Sequence, residues 1–183
     1  LPTGEVLLLA GDVTVARCLD PRKTDAISRS VRRAALRFFD QARSNFDHVI
    51  YLAGNHEHYR GDIGKTADII KTHLAGDNLA FLENEAKSIG DVTFLCATLW
   101  TDMDRRDPLV MRQVGLGMND FALIASGDGK FWPEDAVGLQ ERSLDWLRSE
   151  LELRQNEKIV VATHHAPSRL GLHPDHSGDE LNG

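Results

Sequence analysis

Three short segments combine residue types able to hold a cation and move a proton: Gly11-Asp12, Gly54-Asn55-His56-Glu57 and His164-His165. An aspartate offers lone pairs on two oxygens, so Asp12 is suited to bridging two cations. Gly11 before it allows a close backbone approach. Asn55 supplies a neutral carbonyl ligand, and His56 beside it supplies a proton donor or a charge stabiliser. His164 and His165 carry imidazole, a frequent ligand of Zn, Fe and Mn. Adjacent residues on extended chain point in opposite directions, so one of this pair is expected to be a ligand. The other is expected behind it or facing a substrate.

Other candidates are weaker. His48 and His73 read as ordinary surface or helix-end positions. His58 reads first as structural and second as a cleft residue. His173 and His176 lie in a polar tail and read as surface residues before rim residues or chelators. No nucleophile elbow, phosphate-binding Gly-Lys-Ser/Thr loop or dinucleotide glycine fingerprint is present, which removes the commoner covalent and dinucleotide chemistries.

Three apolar runs position the chemical segments. Glu5 to Ala10, His48 to Ala53 and Lys158 to Thr163 each read as a strand that stops at one of them, and the first two as buried strands. About Asp25 to Phe46 reads as a helix with Ile27, Val31, Ala35, Phe38 and Ala42 on one face. Arg29, Arg32, Arg33 and Arg37 lie off that face, as a solvated surface requires. Lys65 to Leu74 reads as a short helix, and Ala86 to Ile89 with Val92 to Leu99 as a hairpin turning at Gly90-Asp91. Asp107-Pro108 and Pro133 open further helices. Val137, Leu144, Leu147 and Leu151 form the inward stripe of the last.

Strands alternating with helices predict an α/β domain. Ligands of open α/β sheets sit beyond the carboxyl ends of the strands. If the three strands are parallel neighbours, Asp12, Asn55 and His164 meet in one site.

Composition bounds the function. The chain has 183 residues, 42% hydrophobic and 27% charged, which is globular. A formal net charge of −7 disfavours nucleic-acid partners. No stretch approaches the ~20 apolar residues of a membrane helix. Two cysteines, Cys18 and Cys96, make no disulfide framework or metal pair, so a reducing cytoplasm is expected.

In their order and spacing these segments resemble the calcineurin-like metallophosphoesterase superfamily, in its bacterial phosphoesterase branch. The blocks Gly11-Asp12, Gly54-Asn55-His56-Glu57 and Thr163-His164-His165-Ala166-Pro167 carry the likeness. Ala97-Thr-Leu-Trp100-Thr-Asp102 and Met118-Asn-Asp-Phe121 are similar to segments of bacterial members. The resemblance implies that Asp12 bridges two metals, that Asn55 and His164 bind the second, and that His56 assists catalysis. His165 then lies behind the ligands or faces the substrate. The implied fold is a four-layer α-β-β-α sandwich with two mixed sheets and the metal site at the strand carboxyl ends.

The implied cofactors are two divalent ions of Mn, Fe, Zn or Ni. The implied activity is hydrolysis of a small-molecule phosphate mono- or diester by hydroxide activated between the metals. The family pattern also places an Asp-x-His block before Gly-Asp and a Gly-His-x-His block after the strand-end histidine. Neither lies within residues 1–183, so the sequence is expected to be an internal piece of one domain truncated at both ends. The alternative is a scaffold or interaction domain that keeps the fold without catalysis. It has no use for His56 beside Asn55, and it would retain no stoichiometric metal.

Overall fold

A computed structural model describes residues 1–74, 76–168 and 170. The strands are β1 (Gly4–Ala10), β2 (Phe46–Leu52), β3 (Leu79–Phe81), β4 (Glu85–Ile89), β5 (Val92–Ala97), β6 (Ala125–Ser126), β7 (Gly129–Lys130) and β8 (Lys158–Thr163). The helices are α1 (Ala26–Asn45), α2 (Ile63–His73), α3 (Met103–Arg106), α4 (Pro108–Gly117), α5 (Asp120–Leu123) and α6 (Pro133–Leu153). Short 3-10 turns lie at Ala16–Leu19 and His56–His58.

The chain forms an α/β fold with two main sheets. β1, β2 and β3 are parallel throughout, with Leu8 opposite Ile50 and Ile50 opposite Ala80. In the second sheet β4 pairs antiparallel with β5, and β5 pairs parallel with β8. The β4–β5 hairpin turns at Gly90, whose φ of +58° suits a residue without Cβ. The three strands that end in chemical residues are therefore not all neighbours: β1 and β2 share one sheet, and β8 belongs to the other.

Apolar contacts join these layers. Ile50 and Leu52 of β2 pack with Ile89, Cys96 and Ala162 of the second sheet. Phe39 of α1 and Ile70 of α2 pack on Tyr51 and Phe81 of the first sheet. Leu147 of α6 packs on Leu95 of the second. Both buried thiols, Cys18 and Cys96, are free, and burial pushes the Cys96 thiol up to about 12.

Several sequence expectations are corrected here. The buried face of α1 runs through Ser28, Ala35, Phe39 and Ala42, whereas Ile27 is 66% exposed. The first turn instead directs its contacts to the cap, where the Asp25 carboxylate accepts the Ser28 backbone N–H at 2.9 Å and the Ser28 hydroxyl at 2.6 Å. Arg29, Arg33 and Arg37 are exposed as expected. Arg32 is half-buried, and its guanidinium donates to the carbonyls of Cys18, Asp20 and Lys23. Leu151 of α6 is also exposed. β1 is only half-buried, because among the described residues it pairs on one side only.

α3 is a single left-handed turn, with φ from +51° at Met103 to +63° at Arg106. That region costs non-glycine residues roughly 1–2 kcal/mol each. The Arg106 guanidinium holds the turn with two bonds to Glu141, at 3.0 and 2.7 Å, and Met103 is buried beneath it.

Candidate functional site

The parallel strands β1 and β2 end side by side, and the loops that follow are fastened to each other through Glu57. This side chain is fully buried, and five donors converge on it. Oε1 accepts from the backbone N–H groups of Val13 (2.6 Å) and Thr14 (3.0 Å) and from the Tyr51 hydroxyl (2.7 Å). Oε2 accepts from the backbone N–H groups of Asp12 (2.8 Å) and Gly54 (2.6 Å). The loop after β1 is thereby bent so that Gly11 (φ +90°) and Asp12 (φ +59°) are both left-handed. A Cβ on Gly11 would lie 2.5 Å from the Gly54 nitrogen. Glycine is required there by this close approach.

The end of β8 reaches the same place from the other sheet. Thr98, just past β5, links the sheets: its hydroxyl bonds to the Ala53 carbonyl at 2.9 Å, and its carbonyl accepts the His165 backbone N–H at 3.1 Å. The result brings Asp12, Asn55 and His164 together. His164 Nε2 lies 3.2 Å from Asn55 Oδ1 and 3.5 Å from Asp12 Oδ1.

Protons can be assigned from the partners of each group. His164 Nδ1 sits 2.7 Å from the Ala10 carbonyl, which only accepts, so Nδ1 carries the hydrogen; in the neutral ring that leaves the lone pair on Nε2. Asn55 Nδ2 donates to Asp120 Oδ1 at 2.7 Å, which turns Oδ1 of the amide toward His164. With that neutral ring, three lone-pair donors face one another with no hydrogen between them. That arrangement is unfavourable by itself and has the donor set that a divalent cation would satisfy. Among the described residues no three His, Cys, Asp or Glu side chains cluster to hold an ion alone, and the third donor here is the Asn55 amide oxygen.

His56 is half-exposed beside this cluster. Its backbone N–H donates to Asp12 Oδ1 at 3.1 Å, and its Nδ1 lies 3.7 Å from Asp12 Oδ2. The imidazole packs against the Tyr59 ring with centroids 4.4 Å apart. His165 is directed elsewhere: its Nδ1 is 3.3 Å from the Thr98 carbonyl, and its ring packs on Trp100. Burial, with His164 as a second cause, lowers its pKa. It lines a cavity of about 720 Å3 whose other walls include Trp100, Met103, Phe121 and Leu144.

His58 is buried away from the cluster, bonded through Nδ1 to the Thr66 hydroxyl at 2.8 Å, and burial drives its pKa down to about 4. His48 and His73 are half-buried and outside the site. His173 and His176 lie outside the described residues.

Glu57 and Asp120 are the participants that sequence reasoning did not single out. Glu57 was visible only as the last residue of its motif, and no pattern marks the partners of a buried carboxylate. Asp120 belongs to a segment noted for family likeness but is 65 residues from Asn55.

Glu83 lies behind the same junction. Thr98 bonds it through its backbone N–H (3.1 Å to Oε1) and its hydroxyl (2.6 Å to Oε2). One hydroxyl proton cannot serve both Glu83 and the Ala53 carbonyl, so a proton on Glu83 completes the set. Burial pushes the Glu83 carboxyl above its usual range, against the Thr98 hydrogen bonds. The native state then keeps a proton that the unfolded chain loses near the ordinary glutamate pKa, so this residue makes stability fall as pH rises through the interval above it. Glu83→Gln supplies the missing donor and is expected to flatten that slope and to raise the urea midpoint at pH 8. Equal pH dependence of the midpoint in both proteins would count against this assignment.

A family model for calcineurin-like phosphoesterases matches residues 2–182, and the chain belongs to that family. Members of this family are hydrolases of phosphoric esters, and divalent metals are their usual cofactors. An uncharacterized protein of Acanthamoeba polyphaga mimivirus is 24% identical over 141 residues, covering 72% of this chain. The chain spans about half (49%) of that relative's length. No solved structure matches this chain. Among the described residues no helix is long and apolar enough to cross a membrane.

Proposed function

We propose that the chain hydrolyses a phosphate mono- or diester at a divalent-metal site held by Asp12, Asn55 and His164. In this reading residues 1–183 form one domain whose layers run helix, sheet, sheet, helix. The observation that carries it is the convergence of Asp12 Oδ1, Asn55 Oδ1 and His164 Nε2, with Asp120 behind Asn55, the Ala10 carbonyl behind His164 and the His56 backbone N–H on Asp12. Two ions of the Mn, Fe, Zn or Ni class would suit mixed oxygen and nitrogen donors, and Asp12, with two oxygens, is the residue that could be shared between them. When bound, such ions lower the pKa of water and neutralise charge on phosphoryl oxygens.

The remaining work falls to the chain. His56 donates a proton to the leaving oxygen, or stabilises its charge, from the open side of Asp12. The cavity lined by His165, Trp100 and Asp120, which bonds Asn55, is assigned to the leaving group, and its size is that of an ordinary small-molecule site. The buried free thiols favour a reducing cytoplasm as the place of action.

The test is metal analysis of the purified chain together with hydrolysis of p-nitrophenyl phosphate and bis(p-nitrophenyl) phosphate. Bound transition metal and chelator-sensitive turnover of either ester, restored by Mn2+, are expected. A chain that retains no metal and cleaves neither ester is instead a scaffold.

A further inference from the structure

Asp120 is 1% exposed, and among the described residues the hydrogen bonds its carboxylate accepts come from neutral donors, with the His165 ring near enough to feel its charge. One is Asn55 Nδ2 at 2.7 Å, and the other is the Tyr59 hydroxyl. A buried carboxylate without a cationic partner costs free energy that a neutral residue of the same shape would avoid. It also caps no helix: α5 begins at Asp120, and that end carries no side-chain capping bond. A role confined to stability therefore explains it poorly.

Its two partners lead to the two functions of the site. Asn55 presents a ligand oxygen only if its amide is the right way round, and an unrestrained amide has no preference between its oxygen and its nitrogen. Asp120 can accept but not donate as a carboxylate, so it selects Nδ2 for itself and leaves Oδ1 for the cluster. Through the Tyr59 hydroxyl it also holds the ring on which His56 packs. The His56 side chain is 53% exposed, and among the described residues its nearest polar approach is Nδ1 to Asp12 at 3.7 Å, too long for a hydrogen bond, so that ring sets much of its orientation.

We propose that Asp120 is the positioning residue of the site, fixing the Asn55 amide with its oxygen toward Asp12 and His164 and holding Tyr59 against His56. The proposal rests on the reading of Asp12, Asn55 and His164 as a metal site, but its central geometry concerns the metal-free chain. Outer partners of metal ligands typically change affinity or activity by about 10–100-fold when lost. Asp120→Asn retains one oxygen to accept from Asn55 and can offer its amide hydrogen to the Tyr59 oxygen, so it rescues the arrangement. Asp120→Ala removes both contacts.

The first measurement is hydrogen exchange of the Asn55 side-chain amide by 15N NMR on the metal-free full chain. In the wild type one Asn55 amide proton, the one bonded to Asp120, is expected to exchange with water far more slowly than its twin. Fast exchange of both overturns the proposal, whatever any variant does. The second is Mn2+ titration of metal-free wild type, Asp120→Asn and Asp120→Ala. Affinity about 10–100-fold weaker in Asp120→Ala, and within a few-fold of wild type in Asp120→Asn, is expected. Wild-type affinity in a folded Asp120→Ala chain overturns it. Should Asp120→Ala fail to fold, a loss of affinity in Asp120→Asn as large as that of Asn55→Ala overturns it. Failure of the wild type to bind Mn2+ would instead fall on the metal reading, with the exchange measurement still deciding the orientation of Asn55.

Discussion

The Asp12→Ala variant is expected to lose hydrolysis of an aryl phosphate by about three orders of magnitude, equivalent to ~4 kcal/mol of transition-state stabilisation. Asp12 supplies one of the three inward lone-pair donors, and its side chain is the acceptor for the His56 backbone N–H. Its removal therefore weakens metal retention and unfastens the loop that carries His56. His56→Ala is expected to fall by about 10^2 to 10^4 in turnover, the range ordinary for a lost proton-transfer group. It should keep its metal, because no ligand is removed. The paired measurement is turnover and metal content of each variant, with far-UV circular dichroism to establish folding. Near-normal turnover in both variants would end the catalytic assignment. Equal metal loss in both would remove the distinction between ligand and proton donor.

Glu57 is the position where the largest loss of stability is expected. Five donors converge on its two oxygens, four of them backbone N–H groups of the loops after β1 and β2. Only a carboxylate accepts on both sides. In Glu57→Gln one of the oxygens becomes an amide nitrogen, and either choice of side sets N–H groups against N–H groups. Glu57→Asp keeps the carboxylate but shortens the side chain by one methylene, so it cannot reach both loops and is no rescue either. An unpaired buried donor costs roughly 1–3 kcal/mol, so Glu57→Gln is expected to lose on the order of 4 kcal/mol and Glu57→Ala at least as much. Urea unfolding followed by tryptophan fluorescence measures this. A loss below about 1 kcal/mol for Glu57→Gln would mean that the loops are held by other contacts.

Much of this arrangement was legible because continuous apolar runs are read easily and their ends are marked. β1, β2 and β8 fall where the runs do, and each halts at or one residue before the polar pair that follows its run. Caps were equally plain: Asp107 accepts from the backbone of Leu109 at 2.8 Å at the start of α4. Strand partners were not legible. The run from Lys158 to Thr163 has the same apolar character as its two predecessors, yet it pairs with β5 across a separate sheet. Local composition marks a strand but neither its neighbours nor its burial, since Val160 and Val161 of β8 are exposed. Phe38 and Phe39 illustrate the same limit at finer scale, since neighbouring aromatic residues differ by about 100° around a helix and only packing on Tyr51 selects Phe39. β3 and α5, three and four residues long, carry too little pattern to be seen at all. Asp120, the residue that turns the Asn55 amide, lies on the second of these.

Because Asp12 and Asn55 follow strands of one sheet while His164 follows a strand of the other, their spacing is a measure of how the two sheets are stacked. The seam between them is filled by Ile50, Leu52, Cys96 and Ala162, none of which takes part in the chemistry. Interiors are close-packed and transmit small displacements. Trimming a methyl group from that seam would thus detune the centre from a distance, and the alignment of its donors is inherited from the stacking of aliphatic side chains beneath them.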